Sequence, residues 1–107
     1  MITICNNYED LKNILSNSKD KIVIIDTYAK WCQPCKRISP YFESLSNDPS
    51  YENVIFVKID IDNATNIHEY LDPEKLPTFY IFKNLMKMAE YTGSNENQLK
   101  EFLDKNM

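Results

Sequence analysis

An apolar run, Ile22-Val23-Ile24-Ile25, passes into a helically spaced stripe, Ile38, Tyr41, Phe42 and Leu45, through the segment Trp31-Cys32-Gln33-Pro34-Cys35-Lys36. An uninterrupted β-branched run reads as a strand buried on both faces, which is the signature of a sheet with parallel neighbours and helical crossovers. The two thiols therefore stand where a central strand hands over to a helix. Residues three apart are nearly one helical turn apart, so Cys35 lies on the same face as Cys32, and the spacing permits a disulfide. A helix start leaves backbone N–H groups unpaired and carries the positive end of the macrodipole, which favours an anion at Cys32. Thiolates are the reactive species, and such positions lower a cysteine pKa to roughly 3.5–7.5. Pro34 suits the opening turn because its missing N–H has no helical partner there. Lys36 and Arg37 add nearby positive charge.

A Cys-x-x-Cys pair is also half of many zinc sites. The other half is missing here, since the remaining candidates, Cys5 and His68, are single residues far apart in sequence, so no metal is expected. Cys5 reads as a small buried hydrophobe in a short strand and His68 as a solvated helix residue.

The remaining pattern predicts strands at Ile2–Cys5, Ile22–Tyr28, Val54–Ile61, Thr78–Phe82 and Met86–Tyr91. Helices are expected from Tyr8 to about Ser16, after the cysteines, over Ala64–Leu71, and around Leu99, Phe102 and Leu103. Pro40 falls inside the second helix and is expected to kink it. Strands alternating with helices imply parallel crossovers, and the short link at Asn84 implies an antiparallel hairpin. The expected architecture is α/β, a mixed central sheet with helices on both faces. With 107 residues the chain is expected to form one domain, residues 1–107.

Asp26 ends the apolar run. It is either a buried carboxyl with a raised pKa or a solvated strand end. Lys58 interrupts Val54-Ile55-Phe56-Val57-Lys58-Ile59 and is either close to that carboxyl or an exposed edge charge. Pro77, directly ahead of Thr78-Phe79-Tyr80-Ile81-Phe82, belongs at a strand start because proline donates no ladder hydrogen bond.

Together the segments Ile25-Asp26-Thr27-Tyr28-Ala29-Lys30-Trp31-Cys32-Gln33-Pro34-Cys35-Lys36, Leu76-Pro77-Thr78 and Lys83-Asn84 with Gly93 resemble the thioredoxin family, in its order and over nearly the whole chain. The resemblance implies the thioredoxin fold and a protein-disulfide reductase. Cys32 would be the exposed nucleophile and Cys35 the resolving thiol, the two forming the redox disulfide Cys32–Cys35. Asp26 would move the proton behind Cys35, with Lys58 near it. Pro77 would be a cis-proline facing the cysteines. Trp31, Gln33, Pro34, Leu76, Pro77, Thr78 and Gly93 would border the groove that receives substrate. No cofactor would be bound. Electrons would come from NADPH through an external thioredoxin reductase, and the protein would act as an electron carrier in cell redox homeostasis. Its partners would be that reductase and disulfide-containing clients, and it would be a monomer.

Three positions depart from the family pattern. Gln33 replaces a glycine between the cysteines, where related proteins differ in redox poise. Tyr28 stands where tryptophan is common, which leaves Trp31 as the only indole. Leu85 follows Asn84 where glycine is usual, and a wider or shifted turn is expected there because a primed turn needs positive φ at both central positions. An oxidase or isomerase could use the same site, and a non-redox binding module could use the same fold. The opening Met1-Ile2-Thr3-Ile4-Cys5 lacks a secretory signal's basic start and long apolar core, which makes a cytoplasmic protein the expectation. No apolar run reaches membrane-spanning length. A net charge of −4 without a basic stripe argues against nucleic acid as a partner.

Overall fold

Five short segments, the first four rich in β-branched and aromatic residues, build a single sheet in the computed structural model, which describes residues 1–107. The strands are β1 (Ile2–Cys5), β2 (Val23–Tyr28), β3 (Ile55–Asp60), β4 (Thr78–Lys83) and β5 (Met86–Thr92), in the order β1-β3-β2-β4-β5. β1, β3 and β2 run parallel, whereas β4 and β5 are antiparallel to their neighbours. β2 lies at the centre, and its residues from Val23 to Thr27 are all buried, as a strand covered on both faces requires.

Three helices cover the sheet: α1 (Tyr8–Asn17), α2 (Gln33–Ser46) and α3 (Glu96–Lys105). Alternation along the strands sorts the core into two layers. On one face Leu11 and Leu15 of α1 pack with Val23, Ile25, Val57, Ile59, Tyr80 and Phe82. On the other, Ile38, Phe42 and Leu45 of α2 and Leu99 and Leu103 of α3 pack with Ile24, Phe56, Phe79 and Ile81. Phe42 sits at the centre of that layer, its ring 5.3 Å from Phe56 and 5.6 Å from Phe79. Asparagine starts two of the helices: Asn7 accepts from the Asp10 N–H at 2.8 Å and Asn95 from the Gln98 N–H at 2.9 Å. Pro40 stands inside α2, which runs from Gln33 to Ser46.

Two expectations fail. The segment Ala64–Leu71 is not a helix. Ile67 and Leu71 are both buried and one turn apart, which imitates a helical stripe, but only the single turn closed by Leu71 N–H to Ile67 O is made. Upstream the backbone is committed elsewhere: Thr65 bridges Asn7, and Asn66 takes a left-handed φ of 59°. The hairpin at Asn84 is not widened. Lys83 pairs with Met86 across a two-residue turn in which Asn84 and Leu85 have φ of 52° and 67°. The register shift lies in the ladder between Ile81 and Phe82 instead. With its amide nitrogen turned toward them, Asn84 donates to the Lys19 carbonyl at 3.0 Å and the Asp20 carboxylate at 3.1 Å, which anchors the turn Leu85 has to follow. A further short feature, a 3-10 turn at Pro49–Tyr51, follows α2. No helix is long and apolar enough to cross a membrane.

Candidate active site

The end of β2 and the start of α2 place both cysteines at the carboxyl edge of the parallel strands, where open α/β sheets form their binding crevices. Cys32 is the N-cap of α2, with extended backbone, and the first helical bond runs from Lys36 N–H to the Cys32 carbonyl. Its sulfur occupies the place of a capping oxygen and accepts from the Cys35 N–H at 3.2 Å. That donor and the helix start both favour negative charge on Cys32 Sγ. Pro34 occupies the opening turn of α2. Cys32 and Cys35 are joined as a disulfide with Cα atoms 5.3 Å apart.

Cys32 is less accessible than expected. It is only 4% exposed, no more than Cys35, because Ala29, Tyr28 and Leu76 pack around the pair. Its sulfur lies 3.7 Å from the Leu76 carbonyl, to which a reduced thiol can donate.

Strand alternation sets the environment behind the disulfide. Asp26 and Lys58 are register partners on β2 and β3, on the same face as Ile24 and Phe56 and therefore under α2. Asp26 is 1% exposed, and its Oδ1 has no hydrogen-bond partner. Burial pushes its carboxyl up to about 7, against the attraction of Lys58. Lys58 directs its ammonium to Ser39 Oγ at 2.7 Å and lies over the Tyr28 ring, 4.8 Å from its centre. The two readings left open for Asp26 and Lys58 are thus separated: the carboxyl is buried, and the lysine reaches into the site from a half-buried position.

The opposite wall is built by the loop before β4. The Leu76–Pro77 peptide is cis. Pro77 is buried, and its carbonyl accepts from the Gly93 N–H at 3.2 Å, tying β5 to the loop. Gly93 has φ of 152°, and a Cβ there would meet the Tyr91 hydroxyl at 2.6 Å. Thr78 does not face the groove. It is 1% exposed and holds the loop from behind, with Oγ1 donating to the Lys75 carbonyl at 2.6 Å and lying 2.7 Å from Thr92 Oγ1, while its carbonyl accepts from Thr27 Oγ1 at 2.6 Å. Trp31 is 68% exposed beside Cys32, Gln33 is exposed and Pro34 half-buried. Leu76, half-buried, packs on the disulfide.

Three contacts lie outside the expectations drawn from the sequence. Asp62 Oδ2 fixes the Trp31 indole N–H at 2.7 Å. Ser39 and Tyr28 hold Lys58; Ser39 lies one turn after Cys35 and could have been found from helical spacing. Cys5 is buried, with Sγ 3.3 Å from the Asn7 carbonyl. His68 is on the surface, 3.7 Å from Asp72.

Comparison with known proteins gives one answer. A family model described as thioredoxin matches residues 2–105. The chain is similar to the thioredoxin of Ictalurus punctatus, 40% identical over 94% of each chain, and to that of Ophiophagus hannah, 36% identical over the full length of both. Among solved structures, thioredoxin of Plasmodium falciparum superposes with a TM-score of 0.89 at 31% identity, covering 98% of this chain and 99% of that one.

Proposed function

The chain belongs to the thioredoxin family and is a thiol–disulfide reductase, and we propose that Cys32 is its attacking thiol and Cys35 its resolving thiol. The observation that carries this assignment is the N-cap geometry: of the two sulfurs, Cys32 Sγ alone receives a backbone N–H at the helix start. A thiolate there attacks one sulfur of a client disulfide, forms a mixed disulfide and expels the first client thiolate. Cys35, deprotonated in turn, attacks Cys32 Sγ and expels the second. The client gains two electrons, the pair becomes the Cys32–Cys35 disulfide, and the protons of the two thiols pass to the client sulfurs. Asp26, with its proton affinity brought near neutrality, takes the Cys35 proton and returns it in the reverse direction. Lys58 limits how far burial raises that affinity.

Trp31, Gln33, Pro34, Leu76, Pro77 and Gly93 form the groove for client backbone, and Thr78 supports its wall. Partners are disulfide-containing proteins and a reductase. We read the electron source as NADPH acting through thioredoxin reductase and the setting as the cytoplasm, with the chain a single-domain monomer carrying electrons in redox homeostasis.

Single-cysteine variants test the assignment. Cys35→Ser is expected to accumulate a mixed disulfide with a client that dithiothreitol releases, whereas Cys32→Ser is expected to form none and to lose turnover. Mixed disulfides that accumulate on Cys35 in the Cys32→Ser protein, and none in the converse variant, would reverse the roles.

A further inference from the structure

A cavity of about 340 Å³ opens beside Cys35, and Trp31, Pro77 and Gly93 of the groove do not line it. Tyr28, Ala29 and Cys35 give it an apolar floor, and Lys30, Lys36, Ser39 and Lys58 line the rest. The molecule's ion pairs are His68–Asp72, Lys87–Glu90 and Lys100–Asp104, so none of the three lysines around the cavity has a carboxylate within ion-pair distance. Ser39 Oγ accepts from Lys58, which leaves the hydroxyl proton free to donate into the cavity. Asp26 is buried, and Asp60 lies to one side, sharing a hollow of about 170 Å³ with Lys30 and Tyr28. A protein of net charge −4 thus presents the ammonium groups of Lys30 and Lys36, with Lys58 partly balanced by Asp26 behind it, next to its reacting sulfurs.

From this arrangement we infer that Lys30, Lys36, Ser39 and Lys58 form a subsite for a carboxylate side chain carried by the polypeptide client close to its disulfide. The inference rests on the reductase reading above. Unpaired ammonium groups on an apolar floor attract an anion more strongly than the same groups in open solvent, and a polypeptide seated on Cys32 supplies anions as Asp and Glu. Lys30 and Lys36 take no part in the exchange itself, and Lys58 enters it only through Asp26. They raise the encounter rate and hold the client in register, so acidic clients are reduced faster than neutral ones of the same disulfide reactivity.

The test uses three synthetic peptides with the same intramolecular disulfide and Glu, Gln or Lys at one flanking position. Reduction by the reduced protein is followed as kcat/KM. The Glu peptide is expected to exceed the Gln peptide by about three- to tenfold at low salt, the size of a partly solvated charge contact, and to lose most of that advantage at about 0.5 M salt. The Lys30→Gln/Lys36→Gln double variant is expected to bring the Glu-to-Gln ratio close to one, while Lys105→Gln on α3 retains it. Equal rates for the Glu and Gln peptides, or a ratio that survives in the double variant, would overturn the subsite and leave the reductase reading intact. Failure of the unmodified protein to reduce any of the three would overturn both.

Discussion

Asp26 shows how a single residue's surroundings set both its chemistry and its cost. A carboxyl that is 1% exposed with an unpartnered oxygen prefers to keep its proton, and burial moves it from 3.8 to about 7. Between those values the folded protein retains a proton that the unfolded chain has released, so stability falls as pH rises from about 4 to 7 and levels off above. A carboxyl moved from 3.8 to about 7 corresponds to about 4 kcal/mol. Asp26→Asn, which carries no such titration, is therefore expected to match the parent near pH 4 and to be more stable by up to about 4 kcal/mol above pH 7. Urea unfolding across that range measures it. A difference that does not change with pH would mean that Asp26 is not the buried titrating group. The sequence left this residue undecided, because an apolar run followed by a turn fits both a buried and a solvated carboxyl. Lys58 was undecided for the same reason: its position in β3 was clear, but its contacts with Ser39 and Tyr28 exist only once α2 lies over the sheet.

Among the elements, the β4–β5 hairpin carries a local conflict. Leu85 holds φ of 67° in a two-residue turn, a conformation that costs an L-residue with a Cβ roughly 1–2 kcal/mol. The strand pairing and the Asn84 anchor hold the turn tight against that preference. Leu85→Gly is expected to raise stability by about 1 kcal/mol after the added chain entropy of glycine, read as a higher urea midpoint with an unchanged slope. A lower midpoint would mean that the half-exposed Leu85 side chain contributes packing that outweighs the backbone strain. Local preference alone does not predict this turn, because the two paired strands enforce it. Ala64–Leu71 failed in the opposite way. Its apolar spacing was right, and both Ile67 and Leu71 are buried, but burial at one-turn spacing does not require further turns on either side. The parts that local chemistry does determine were legible: the strand-to-helix handover at Cys32 and the proline-led start of β4.

At the scale of the whole molecule, one buried strand organises everything else. β2 is paired on both edges and covered on both faces, so it joins the two core layers and delivers the disulfide to the end of the sheet. Its amides, with those of Ile55–Ile59 and Thr78–Phe82, are expected to exchange with solvent most slowly, and those of residues 62–75 and of the exposed Met86–Met88 edge fastest. Hydrogen exchange resolved by residue tests this, and equal protection of residues 62–75 and β2 would contradict it. The mixed sheet and the β4–β5 hairpin were readable from the alternation of strands and helices and the short link at Asn84; the order β1-β3-β2-β4-β5 emerges only when the strands are assembled. The cationic cavity beside Cys35 was not, since Lys30, Lys36 and Lys58 look like scattered charges until β2, β3 and α2 are assembled. This scaffold poises the Cys32–Cys35 couple to give electrons to other disulfides. The most direct test is the reduction potential of that couple, titrated against dithiothreitol and glutathione buffers with Trp31 fluorescence and thiol labelling as reporters. A value near or below about −250 mV is predicted; one around −180 to −120 mV would make the protein an oxidant, and the absence of any reversible transition would remove redox chemistry from its function.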